Sequence, residues 1–303
     1  MTEHMELENK YFKKFIIPLL NQQSDPDEIY HYTNIHGFEG IISGDVKEEK
    51  GVFWATHSDF LNDKTEMKYT LNLSKDIFKD VCKERGLTEE QIKEYTELYE
   101  KKLIEKVFNG RYIWEFYTVS FSINPDSNLL WSNYSNNDGY NIKFEFKKLI
   151  KENEAYCSHV IYDREKHEDS LKGLLLDLLD IFLKSGYPGK IRGEDKDDFM
   201  WAIQTLSWFS IFFKDKCFSQ EEEFRIVFPL RKAEKNNYKC RISNGTFIPF
   251  IEKKFSKEIV TGVTIGPKNN MDINKEGLYK FLKLNKIEIP LEEIDNSAIP
   301  YRY

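Results

Sequence analysis

The sequence predicts an α+β fold, a mixed and largely antiparallel sheet carrying large helical insertions. Three observations lead there. β-branched and aromatic segments with strand-like alternation cluster early, near 28–33, 51–56, 112–122, 139–146 and 155–162, and again late, near 222–228, 245–250 and 259–265. Between them lie two apolar runs, Gly173–Leu183 and Trp201–Phe213, long enough for buried helices. No repeat or low-complexity linker divides the 303 residues, so one domain over 1–303 is expected, with an N-terminal helix in 1–24 and helical insertions at 64–110 and 165–215.

Each element has a local reason. Over Leu7–Leu20, Tyr11, Phe12, Phe15, Ile16, Leu19 and Leu20 recur near helical spacing, and Pro26 in Ser24–Asp27 ends that helix. Glu28–Thr33 alternates as a strand, Ile35–Ile42 reads as a short helix closed by Gly44, and Gly51–Thr56 is a second strand. The charged stretch Asn62–Arg111 reads as a solvated helical insertion or hairpin. Within it Thr88 and Gln91 fit a capping box ahead of a peripheral helix with a narrow apolar stripe of Ile92, Tyr95, Leu98 and Leu103. Helices follow at about 169–184 and 197–213, then the late strands, a turn at Gly266-Pro267, a helix over Asn274–Lys283, and a last strand at Ile287–Ile289.

Composition removes several function classes. A net charge of −7 gives no overall electrostatic footprint for gripping duplex nucleic acid. Cys82, Cys157, Cys217 and Cys240 form no CxxC pair, so zinc-ribbon and thioredoxin-type readings fail and reduced cysteines are expected. The acidic N-terminus lacks the features of a signal peptide, and the apolar runs fall short of a bilayer span. A cytoplasmic protein with no membrane partner and no metal is the expectation.

Four clusters could carry chemistry: Tyr30-His31-Tyr32-Thr33; Phe60-Leu61-Asn62-Asp63 with Glu66; Ser120-Phe121-Ser122 with Leu130-Trp131, Tyr134 and Gly139; and Phe218 through Glu221, Glu222, Glu223 and Arg225. If 221–227 is extended, Glu221, Glu223 and Arg225 share one face, with the carboxylates about 7 Å apart, a spacing that can drive their titrations apart. The plainer reading is an edge strand with a solvated charged face. His31 reads equally as a core or surface histidine, Asn62-Asp63 as a turn or helix cap with Glu66 completing it, Ser120 and Ser122 as ordinary strand residues, and Trp131 and Tyr134 as core.

Together the clusters resemble a bacterial family of unknown function, domain-of-unknown-function family 2971. The residues that carry the resemblance are His31-Tyr32-Thr33, Asn62-Asp63 with Glu66, Ser120–Ser122, Leu130–Tyr134 and Phe218–Arg225, with Gly266-Pro267 and Ile299-Pro300-Tyr301-Arg302 near the end. The likeness runs over about residues 28 to 303. A fainter resemblance joins the strand His31-Tyr32-Thr33, the helix ending at Gly44 and the next short strand to the opening of ADP-ribosyltransferases. That likeness implies an ADP-ribosyltransferase-like core with NAD as substrate. His31, Tyr32, Thr33, Ser120, Ser122, Trp131, Tyr134 and Arg225 would bind it; Glu223 would grip the ribose and Glu221 would activate the acceptor. No tyrosine occupies the nicotinamide-stacking position, so Phe53 or Trp54 would serve. The acceptor would be a protein or nucleic acid, as for a toxin or phage-defence effector with an antitoxin or defence partner.

Such an enzyme would stabilise the oxocarbenium-like charge that develops on the ribose as nicotinamide departs. On this reading Glu223→Gln removes activity and leaves the fold intact. Two other readings stay open: a non-catalytic sensor or partner-binding protein using an aromatic groove at Trp131 and Tyr134, and a metal-dependent nuclease with Asp63, Glu66, Glu221 and Glu223 as oxygen ligands.

Overall fold

Alternating apolar residues place most strands where the sequence puts them. The computed structural model describes residues 9–45, 47–61, 65–103, 114–135, 137–185, 194–231, 237–243, 245–269 and 272–300. The strands are β1 (Glu28–Thr33), β2 (Lys50–His57), β3 (Trp114–Ser122), β4 (Tyr140–Glu145), β5 (Tyr156–His159), β6 (Glu223–Arg231), β7 (Lys239–Ser243), β8 (Thr246–Ser256), β9 (Val260–Ile265) and β10 (Ile294–Asn296). The helices are α1 (Ile17–Leu20), α2 (Ile35–Ser43), α3 (Thr65–Glu84), α4 (Glu89–Leu103), α5 (Asn128–Ser135), α6 (Phe146–Asn153), α7 (Arg164–Ser185), α8 (Glu194–Phe212) and α9 (Asp272–Leu284). The protein is therefore α+β.

The strands form one mixed sheet in the order β10-β9-β4-β1-β3-β2-β8-β7, with β6 pairing β3 and β5 pairing β6. All pairings are antiparallel except β10 on β9. The branch at β3 creates the cleft. β6 follows β3 along its whole length, from Trp114↔Arg231 to Ser122↔Glu223. On the other edge β1 meets β3 at Tyr30↔Ser122, and β2 meets it at Thr56↔Thr118 and His57↔Tyr117. β1 and β2 thus part over β3 and leave its middle open on that edge.

Two apolar cores follow. In one, α7 and α8 bring Leu174, Leu178, Phe182, Leu206, Phe209 and Phe212 against Phe78 and Val81 of α3. In the other, Phe38 and Ile42 of α2, Leu149 of α6 and Leu278 and Leu282 of α9 pack with Phe53, Phe121, Phe144, Phe224 and Phe255 from the strands. The charged helix α4 lies at the edge of the first core and buries Tyr95 and Tyr99, with Ile92 and Leu98 partly covered. Its capping box is real: the Thr88 amide donates to Gln91 Oε1 at 2.9 Å and the Gln91 amide to Thr88 Oγ1 at 3.3 Å. Gly44 ends α2 at φ +47, a backbone region that favours glycine.

Several expectations change. The N-terminal segment is a π-helical turn, Phe12–Ile16, running into α1, because Pro18 cannot donate to the preceding turn. The region after Asn62 is not wholly solvated, since α3 buries Phe78, Val81 and Cys82. The strand expected at Ile287–Ile289 is not formed; both isoleucines are buried without ladder bonds, and β10 supplies the last strand instead. β7 was not expected, because its exposed edge face needs no apolar alternation. Glu221 is not extended: it ends a 3₁₀ turn, Lys216–Glu221, and left-handed Glu222 (φ 44°) turns the chain into β6.

Candidate active site

The cleft floor is laid by strand alternation. Thr118, Ser120 and Ser122 share one face of β3, and Trp54 and Thr56 continue it on β2, so small hydroxyls pave the gap where β1 and β2 part. The resulting cleft has a volume of about 650 Å³, within the range of about 300–1,000 Å³ usual for small-molecule sites. Tyr30, His31, Tyr32 and Thr33 from β1, the start of α2, Trp54, Phe60 and Leu61, Ser120 and Ser122, Tyr134, Glu221, Glu223 and Arg241 all line it.

His31 repairs the break in the sheet. Its Nδ1 lies 2.9 Å from the Ser120 carbonyl, which the departure of β1 would otherwise leave without a partner. A carbonyl only accepts, so Nδ1 carries the proton and, in the neutral ring, Nε2 is an acceptor. Burial against Phe53 and Phe121 lowers its pKa below the usual histidine value, partly offset by the Ser120 bond. His31 is therefore a neutral, oriented imidazole.

Four buried charges stand at the far end: Lys214, Glu221, Glu223 and Arg225 are all under 8% exposed. Arg225 grips Glu223 with Nε at 2.7 Å and Nη2 at 2.9 Å, and its Nη1 donates to the Ile211 carbonyl at 2.5 Å in the last turn of α8. Lys214 Nζ bridges the two carboxylates, 2.7 Å from Glu221 and 3.2 Å from Glu223. Burial alone pushes the Glu223 carboxyl up. The Arg225 and Lys214 charges outweigh it and, with a hydrogen bond from the Ser120 side chain, hold the group at about 2. Tyr134 donates from its hydroxyl to Glu221 Oε1 at 3.4 Å, and burial and the neighbouring Glu221 raise its phenol to about 12.

The solvated edge strand proposed for 221–227 is overturned, because β6 lies between β3 and β5 and its charged face is buried. Arg225 sits behind Glu223, outside the cleft lining, where it pairs and anchors rather than touching a ligand. Trp131 is wholly buried against Tyr32, its Nε1 bonded to Asp126 at 2.6 Å, so it offers no stacking face. Tyr32 is held too: its hydroxyl donates to the Asn124 carbonyl at 2.8 Å and accepts from the Ser127 amide at 2.9 Å. Ser122 donates to the Glu221 carbonyl at 2.9 Å and so fixes the turn ahead of β6. Trp54 is the accessible ring, 49% exposed, whereas Phe53 is 3% exposed within the aromatic core.

Asn62 and Asp63 lie outside the described residues, as does the Glu66 side chain; Phe60 and Leu61, just before them, line the cleft. For the nuclease reading, the Lys214 ammonium occupies the place between Glu221 and Glu223 that a hard cation would take. Among the described residues no group of three or more His, Cys, Asp or Glu is arranged to hold a metal, and no helix is long and apolar enough to cross a membrane.

Sequence reasoning missed Lys214 and Arg241. Lys214 had a faint signal, a charge directly abutting the apolar run that ends at Phe213. It is fixed there because its amide donates to the Ile161 carbonyl at 3.1 Å. Arg241 had none, being one cation on an exposed edge strand.

Residues 130–226 fit the family model described as Protein of unknown function (DUF2971). That segment holds Leu130–Tyr134 and the Phe218–Arg225 motif, with Lys214 between them; His31, Ser120 and the C-terminal motifs lie outside it. No curated protein and no solved structure matches the chain.

Proposed function

For this member of the DUF2971 family, whose function is unknown, we propose that the cleft binds NAD and transfers its ADP-ribosyl group to a protein or nucleic-acid acceptor. The observation that carries the reading is the opening of β1 and β2 over β3, which brings His31, Ser120, Glu221 and Glu223 onto one cleft. His31 Nε2 is an acceptor suited to a ribose hydroxyl, and Trp54 presents an exposed ring to a planar base.

The geometry favours a different division of labour between the glutamates from the one the resemblance implies. A carboxylate has about four acceptor sites, and Glu223 already receives Arg225 twice, Lys214 and Ser120. Glu223 is therefore a positioning residue that holds Lys214. Glu221, which lines the cleft at the turn ahead of β6, is the carboxylate we assign to the ligand. In the transfer the bond between nicotinamide and ribose breaks, and nicotinamide leaves with the electron pair. The acceptor's nucleophile bonds to the same ribose carbon. Glu221 faces the developing positive charge and takes the acceptor's proton as the new bond closes.

NAD titrated against the purified protein should give saturable quenching of Trp54 fluorescence, measured as the difference from Trp54→Phe. His31→Ala should weaken it. Absence of any NAD binding at millimolar concentration would sink the proposal. A second reading, binding without turnover, has its own support: the two carboxylates are matched by Lys214 and Arg225, which reduces the net field they exert on a ligand. Saturable NAD binding with no nicotinamide release from any acceptor mixture would select it.

A further inference from the structure

The cleft contains a cation that the chemistry above does not use. Arg241 projects from edge strand β7 over the β2 end of the floor, where its Nη2 donates to Thr56 Oγ1 at 2.9 Å. Its guanidinium lies 5.9 Å from the Phe250 ring centre, and the exposed ring of Trp54 lies 4.7 Å from the same ring. Among the described residues no carboxylate pairs with Arg241, and the effect resolved on its ionisation is burial, which disfavours its charged form. A half-buried guanidinium with no carboxylate beside it among the described residues is costly, since burial of charge is ordinarily offset by a partner. Beside it Thr118, paired with Thr56 across the strands, has a buried hydroxyl with no hydrogen-bond partner among the described residues. An arginine fork and two threonines therefore sit at the opposite end of the hydroxyl floor from the glutamates, about 13 Å along β3 at about 3.3 Å per residue.

We infer that Arg241 is the anion hook of the cleft: it takes a phosphoryl group of a nucleotide ligand on its guanidinium, with Thr56 beside it and the base against Trp54. Phosphate is the anion that best fits a planar donor fork next to hydroxyl donors and an aromatic face. The inference rests on reading the cleft as a nucleotide site, and not on the transfer chemistry.

The test compares ADP-ribose, adenosine and inorganic pyrophosphate on wild type and Arg241→Gln, by calorimetry and thermal melts. ADP-ribose should bind wild type and bind Arg241→Gln about 10- to 100-fold more weakly, the loss expected of one charge-assisted contact. Adenosine, lacking phosphate, should bind both alike. The variant alone should melt at or above the wild-type temperature, because a charge disfavoured by burial has been removed; a lower melting temperature would make Arg241 a structural tie to Thr56 and overturn the inference. Equal ADP-ribose affinity in the two proteins would also overturn it while leaving NAD as ligand. Should wild type ignore ADP-ribose yet be stabilised by pyrophosphate through Arg241, the NAD reading fails and the hook stands for another phosphorylated ligand. No response to either phosphate compound rejects the hook.

Discussion

Glu223→Gln tests the architecture of the charge cluster before any chemistry is assayed. Sequence alone makes this an activity variant that leaves the fold untouched. The structure predicts a large loss of stability, because Glu223 is 7% exposed and its partner Arg225 2%. The amide would keep one acceptor but point an NH₂ donor at Arg225 or Lys214, leaving two buried cations with one carboxylate between them. Holding a glutamate at about 2 instead of 4.5 corresponds to about 3 kcal/mol at about 1.4 kcal/mol per tenfold. Breaking a buried pair by removing one partner typically costs about 3–5 kcal/mol, so the two routes agree. At about 2 °C per kcal/mol for a chain of this size, the melting temperature should fall by about 6–10 °C. The sign with pH follows from the depressed value. Glu223's contribution is complete above 4.5 and is lost as pH falls through about 2, so the gap between wild type and variant should close over that window wherever both still fold. The assay is a set of thermal melts from neutral pH downward, with Arg225→Met and the double variant completing a cycle. The double variant should be less destabilised than the sum of the single changes. A Glu223→Gln protein melting within about 1 °C of wild type at pH 7 would refute the reasoning.

Two further changes probe elements around the cleft. Thr88→Ala removes the capping box of α4 and should cost about 1 kcal/mol, visible as a small fall in melting temperature, with ligand binding unchanged because α4 lies at the edge of the helical core. Gly139→Ala puts a Cβ 2.2 Å from the Thr33 carbonyl and 2.7 Å from the Ser135 Cβ. It should cost about 1–3 kcal/mol by overpacking and weaken ligand binding by displacing the end of β1, as read by melts and titration together.

Where local chemistry decides, the sequence was informative. β1 is read from its alternation, the end of α2 from Gly44, and the start of α4 from Thr88 and Gln91; none depends on a distant partner. The motif containing Glu223 was visible for the same reason. What escaped depends on tertiary context. Glu221 reaches the cleft through a left-handed turn at Glu222, where a strand pattern predicts continued extension. Arg225 and Trp131 were expected in the site and are buried behind it, since pattern cannot say which side of a wall a residue occupies. Lys214 belongs to the cluster because a bridge between Ile161 and Phe213 brings the end of α8 under β6. Arg241 lies on a strand whose exposure erases the periodicity that would reveal it.

The proposed transfer of ADP-ribose through Glu221 is tested by nicotinamide release. Purified wild type, Glu221→Gln and Glu222→Gln would be incubated with NAD and fractionated lysate, with melts to show that each is folded. Glu222 makes the fair control, since its carboxylate accepts from Asn124 outside the cleft lining. Wild type should release nicotinamide, Glu222→Gln should retain most of that activity, and Glu221→Gln should lose about 100- to 1,000-fold, the usual consequence of deleting one transition-state electrostatic contact. Release by folded Glu221→Gln at the wild-type rate would contradict it.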